Sequence, residues 1–119
     1  MVVPPHYADT TRRYPVLYVL DGDSNTGHAA EAARLLANHS RIPELIIVGI
    51  SHTRRNWELT TAPRPSWTYP TELGDVGGAD TFLDALEADI IPWVDQAFRT
   101  APHRILLGHS LGGMVAWHV

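Results

Sequence analysis

The pentad Gly108-His109-Ser110-Leu111-Gly112, followed by Gly113, restricts what this chain can fold into more than any other stretch. A G-x-S-x-G run suits a tight strand-to-helix turn. The small residues two before and two after the serine let neighbouring backbone approach closely, and the turn lifts the hydroxyl clear. The flanks fit. Arg104-Ile105-Leu106-Leu107 reads as a strand run and Leu111 onward as a helix start. With Gly and Ser each near 7% of residues, a chance occurrence in a chain this long has odds of about one in twenty, and the flanking pattern lowers them. The simpler alternative is a glycine-rich turn with an ordinary capping serine. In the first reading Ser110 is a candidate nucleophile. The amides that follow it, at a helix N-terminus, can then stabilise negative charge.

The remainder of the chain supplies an architecture for such a turn. Val16-Leu17-Tyr18-Val19-Leu20 and Leu45-Ile46-Ile47-Val48-Gly49-Ile50 are short, continuously apolar runs, as expected of strands buried on both faces of a parallel sheet. Between them, a helix is expected from about Asn25 to Asn38, with Ala29, Ala33, Leu36 and Ala37 on one face. Ser51 to Val76 carries Pro63, Pro65 and Pro70 and shows no period; connections that long are usually functional or mobile. Leu83, Leu86, Ile90 and Val94 then recur at helical spacing, with Asp80 or Thr81 as the expected cap and Pro92 expected to kink or divide the helix. Strands alternating with helices imply crossover connections and a mainly parallel sheet covered on both faces. The 119 residues make one domain at most.

Composition removes several function classes. Apolar residues make up 45% and charged residues 18%, with a net charge of -4. That balance is globular, and it disfavours a nucleic-acid partner, which requires clustered cations. There are no cysteines, so disulfides, a thiol nucleophile and thiolate metal sites are excluded. The apolar runs are far short of a membrane span, and no signal peptide is visible at Met1–Pro5. A cytoplasmic location without membrane association is therefore expected. The histidines do not form a paired metal-binding spacing such as H-E-x-x-H, so no metal is expected. His28 and His52 follow strand runs and are candidates to line the mouth of a site. His109 adjoins Ser110 but should diverge from it, and His118 lies two helical turns on.

Asp21-Gly22-Asp23 follows the first strand run. A serine on such a turn pairs the amide of the next residue, here Leu111, with an amide from the loop after an early strand. A residue at Gly22–Asp23 fits that second position, although strand–Asp–Gly turns are also common as plain turns. The long connection holds Arg54, Arg55, Trp57, Trp67 and Tyr69 just beyond a strand's carboxyl end, where open sheets bind ligands. Arg54 and Trp57 are the candidates for substrate contact; packing of the tryptophans against the body is the alternative.

Four stretches together resemble an esterase family of the α/β-hydrolase superfamily that includes siderophore (enterobactin-type) esterases and is more distantly similar to the mycolyltransferases. They are Tyr14–Asp23 (YPVLYVLDGD), Ile42–Pro63 (IPELIIVGISHTRRNWELTTAP), Gly77–Val94 (GGADTFLDALEADIIPWV) and Leu106–Gly113 (LLGHSLGG). The resemblance implies Ser110 as nucleophile and the Leu111 and Asp23 amides as the oxyanion hole. It implies a small-molecule carboxylic ester as substrate, an acyl-enzyme on Ser110 and no cofactor. The family places the triad acid and histidine after the nucleophile, and only nine residues follow Ser110 here. The expectation is thus a partial α/β-hydrolase domain over 1–119, with the C-terminal strands and the rest of the triad beyond it and with little activity by itself. Acyl transfer through the same serine, and a non-catalytic binding domain, are the alternatives.

Overall fold

The computed structural model describes residues 1–119. Three strands, β1 (Tyr14–Leu20), β2 (Ile46–Ile50) and β3 (Thr100–Leu107), form a parallel sheet in the order β2-β1-β3. The all-apolar β1 run takes the centre because side chains alternate across a strand and only the central strand is covered on both sides. Val16, Tyr18 and Leu20 enter one core, and Leu17 and Val19 the other. Register pairs Leu20 with Ile50 and Val19 with Leu107. The three strands therefore end together, and Asp21, Ser51 and Gly108 emerge at one carboxyl edge.

Helix α1 (Gly22–Asn38) starts directly after β1, three residues earlier than expected. Asp21 turns the chain in the left-handed region (φ 51°), and Gly22 lets the helix begin flush on β2. A Cβ on Gly22 would stand 2.6 Å from the Gly49 carbonyl carbon and the Ile50 nitrogen. Ala29, Ala30 and Ala33 pack on Leu17, Val19 and Ile47. Leu36, expected on that face, is instead 43% exposed, and the small Ala30 takes a place against the sheet.

The opposite face is covered by α3 (Ala79–Ala85), a π-helical turn (Leu86–Ile90) and α4 (Ile91–Ala97), joined by α5 (Leu111–His118). Phe82, Leu86, Val94 and Val115 are buried there against Val16, Tyr18 and Leu20. Pro92 falls in the first turn of α4, where its missing amide costs no helical bond. The wide turn before it divides the rod at the expected place. Gly78 occupies the N-cap position of α3, with no side-chain cap, so neither Asp80 nor Thr81 caps. Helices thus lie on both faces, and none is long and apolar enough to cross a membrane.

The connection over 51–76 carries more structure than its sequence suggests. It contains the one-turn helix α2 (Arg55–Glu58) and a 3-10 turn (Thr71–Leu73). Side chains hold it in place of periodicity: Asn56 Nδ2 donates to the Leu73 carbonyl at 2.9 Å, and buried Thr60 accepts the Gly77 amide at 2.8 Å. On the far side of the sheet, β3 pairs only with β1, leaving Ile105 46% and Leu107 38% exposed.

Candidate active site

Ser110 sits between the end of β3 and the start of α5 with φ 57° and ψ −121°. A non-glycine residue there stores strain of about 1–3 kcal/mol, which persists only where the surroundings impose it. They do so here. A Cβ on Gly108 would overlap the Gly112 carbonyl group and stand 2.8 Å from the Gly113 nitrogen, and one on Gly112 would come within 3.3 Å of Leu20 Cβ. Gly108 is thus a steric requirement of a helix that doubles back over its own strand, and Gly112 lets that helix pack closely on the end of β1. Ser110 is exposed at the carboxyl edge of the sheet, and its hydroxyl makes no hydrogen bond within the chain. The amides of Leu111, first in α5, and Asp23, second in α1, donate to no protein acceptor, because first-turn amides lie outside the helical ladder. The Asp23 carboxylate accepts from Ser51 Oγ at 2.7 Å.

Two cavities flank this elbow. Ser110 lines one together with Arg64, Trp67, Met114 and Trp117. His109 lines the other, a wholly polar cleft shared with Asp21, Asp23, Asn25, His52 and Arg55. The adjacent side chains of the elbow therefore point apart, as expected. In the polar cleft Arg55 grips Asp21 with two bonds, Nε to Oδ1 at 2.5 Å and Nη2 to Oδ2 at 2.8 Å. This pairing holds the Asp21 carboxyl below its ordinary range against the opposing effect of burial, with smaller help from the charges of His52 and His109. His52 has a side chain only 1% exposed, with Nδ1 2.6 Å from Glu58 Oε2. Burial pushes the Glu58 carboxyl up, but the Arg54 amide, His52 and Thr53 together outweigh it and hold it below its usual value. His52 Nε2 is enclosed with no partner.

Of the residues singled out in the sequence, Arg54 and Trp57 lie in neither of these cavities. Arg54 stacks 4.6 Å from the Trp57 ring centre and pairs with Asp75 at 3.0 Å. The Trp57 ring fills the space beside Gly78 that a Cβ would need. The loop residues that reach the Ser110 cavity are Thr61, Arg64, Ser66 and Trp67, with Trp67 edge-on to Tyr69 at 4.3 Å. Arg64 carries no sequence signal beyond its place between two prolines, and Glu58 none at all, because only the fold brings it to His52. His28 is on the exposed face of α1 and lines neither cavity. His118 also lines the Ser110 cavity but sits eight residues on, about 12 Å along the helix axis, with Nε2 2.7 Å from Asp80 Oδ1. No group of three or more His, Asp or Glu side chains is arranged to hold a metal ion.

A parallel sheet covered by helices on both faces, with a sharp strand-to-helix turn at its carboxyl edge, defines this chain as part of an α/β-hydrolase fold. It belongs to the esterase family: the family model described as "Putative esterase" matches residues 1–119. The chain is similar to the siderophore triacetylfusarinine C esterase of Aspergillus fumigatus, with 38% identity over 87% of this chain and 38% of that protein. It is also similar to the ferri-bacillibactin esterase BesA of Bacillus subtilis, with 30% identity over 89% of this chain and 42% of the relative. Among solved structures it superposes on an IroE-like serine hydrolase from Shewanella oneidensis with a TM-score of 0.88 and 35% identity, covering 98% of this chain and 39% of that one. The chain thus spans about two fifths of the length of these relatives.

Proposed function

We propose that the protein hydrolyses carboxylic esters through an acyl-enzyme on Ser110. The observation that carries this reading is the strained Ser110 backbone, φ 57°, at the β3–α5 junction between Gly108, where a Cβ would overlap backbone, and Gly112, where one would crowd Leu20. Strain at an exposed serine needs a reason, and presentation of a nucleophile supplies one. In the reaction Ser110 Oγ bonds to the ester carbonyl carbon and its proton passes to a general base. The alcohol then leaves with that proton, and water cleaves the acyl-enzyme. The Leu111 and Asp23 amides receive the oxyanion, a role supported by their lack of other acceptors and worth roughly a hundred- to a thousandfold per donor. The base histidine and its acid are assigned to the polypeptide beyond residue 119, and the reaction uses no cofactor. The names of the relatives favour siderophore esters as the substrate class.

The test is covalent labelling of the whole protein with a fluorophosphonate. The wild type should take up one label on Ser110, and Ser110→Ala should take up none and lose esterase turnover, by on the order of a millionfold. An unlabelled wild type, or an active Ser110→Ala, refutes the assignment.

A further inference from the structure

All nine basic residues of this chain are arginines. Four are committed to carboxylates: Arg34 to Glu31, Arg54 to Asp75, Arg55 to Asp21 and Arg104 to Asp95. Arg13 and Arg99 donate to backbone carbonyls, and Arg99 also lies over the Tyr7 ring. Arg12 and Arg41 precede β1 and β2, at the edge of the sheet opposite Ser110. Arg64 is the remaining one, and its guanidinium engages no protein group although it lines the cavity that holds Ser110. No carboxylate lines that cavity; Asp80 reaches it only by way of His118, at 2.7 Å. A chain with a net charge of -4 therefore places an unneutralised cation beside its candidate nucleophile.

The turn beneath Arg64 is held by hydrogen bonds and ring packing. Its amide and carbonyl exchange two backbone bonds with Trp67, each 3.0 Å. The Trp67 ring stands edge-on to Tyr69 with centroids 4.3 Å apart, and the Tyr69 hydroxyl accepts the Thr61 amide at 3.0 Å. A guanidinium held on a fixed turn loses less entropy on binding, and its planar fork matches a carboxylate or another planar anion. The half-exposed Trp67 beside it offers an aromatic face to a ring.

We infer that Arg64 and Trp67 are specificity-determining residues that select esters bearing an anionic group on an aromatic ring, held on the Ser110 side of the elbow. The inference rests on the ester-hydrolase reading and adds the substrate class to it. Arg64 contributes to binding in the ground state and the transition state alike, so its effect falls on KM more than on kcat.

The test uses two matched esters and the whole protein. One is the mono-4-nitrophenyl ester of terephthalic acid, which keeps a free para carboxylate; the other is 4-nitrophenyl 4-methylbenzoate, neutral and of similar shape. The wild type should favour the anionic ester, and the preference should shrink as salt is raised. Arg64→Gln should lower kcat/KM for the anionic ester about five- to tenfold, mostly in KM, and leave the neutral ester within about twofold. An equal loss on both esters, or no preference in the wild type, overturns the inference while leaving Ser110 in its role. The hydrolase reading is decided separately by the fluorophosphonate label, and if neither ester is turned over the anion site is read by tryptophan fluorescence. Quenching by terephthalate that disappears in Arg64→Gln and in Trp67→Phe sustains the site; absence of quenching in the wild type refutes it.

Discussion

Substituting Gly108 with Ala tests the steric account of the elbow directly. The added methyl would overlap the Gly112 carbonyl and lie 2.8 Å from the Gly113 nitrogen. Both are backbone atoms in the first turn of α5, so no side-chain rotation can relieve the clash. Overpacking costs about 1–3 kcal/mol where neighbours can yield, and here the cost should fall at the upper end, near 3 kcal/mol. Gly27→Ala is the internal control. It adds the same atom to α1 at a position with nothing within 4 Å, and the better helix propensity of Ala should raise stability by about 0.5–1 kcal/mol. Urea unfolding of the two variants should therefore differ by about 4 kcal/mol in opposite directions from the wild type. Because the Gly108 clash displaces Ser110 as well, fluorophosphonate labelling should slow by about a hundredfold, the usual cost of misplacing a reacting group by an ångström, whereas Gly27→Ala should label at the wild-type rate. If the two variants unfold within about 1 kcal/mol of each other, the close approach of α5 to β3 is not what the pentad glycines serve.

Three further outcomes follow from the same geometry. Ser110→Gly should gain about 1 kcal/mol by releasing the φ 57° strain, while Ser110→Ala keeps the strain and shifts denaturant stability by less than about 0.5 kcal/mol; equal stabilities for the two would remove the strain argument. Arg55 depresses the Asp21 carboxyl, so the stabilisation is complete above the ordinary aspartate value of about 3.9 and is lost as pH falls through the lower folded value. Urea midpoints between pH 6 and 3 should therefore fall less steeply in Arg55→Gln, with a residual slope from Glu58 and Asp95, which are also lowered. Trp57→Ala should cost about 2 kcal/mol of stability and reduce turnover of bulky and small esters alike, because its ring packs beside Gly78; a loss confined to bulky esters would put Trp57 in the path of substrate.

Much of this fold is written locally. The β1 run has to be buried on both faces, because five consecutive apolar residues alternate across a strand whichever way it turns, and that requirement produces a parallel sheet between two helical layers. The G-x-S-x-G pentad is local in part: Gly108 meets backbone atoms of Gly112 and Gly113 a helical turn on, whereas Gly112 meets Leu20 at the end of β1, a contact only the assembled sheet supplies. The phase of α1 is less legible. Alanines bury about as well on one stripe as on its neighbour, and only the packed helix shows Ala30 against the sheet and Leu36 toward solvent.

What the sequence could not determine is which loop residues stand beside Ser110. Arg54, Trp57, Arg64 and Trp67 are all cations and aromatics of one aperiodic connection, and nothing in their order separates them. The tertiary structure separates them by long-range pairing. Asp75 and the ring of Trp57 capture Arg54, Asp21 captures Arg55 across 34 positions, and Arg64 and Trp67, which exchange backbone bonds, are the cation and the aromatic of this connection that line the cavity of Ser110. A periodic apolar run carries its own burial instruction in each residue. A polar loop takes its position from partners distant in sequence, so its contribution to the site exists only once the sheet has brought the strand ends together.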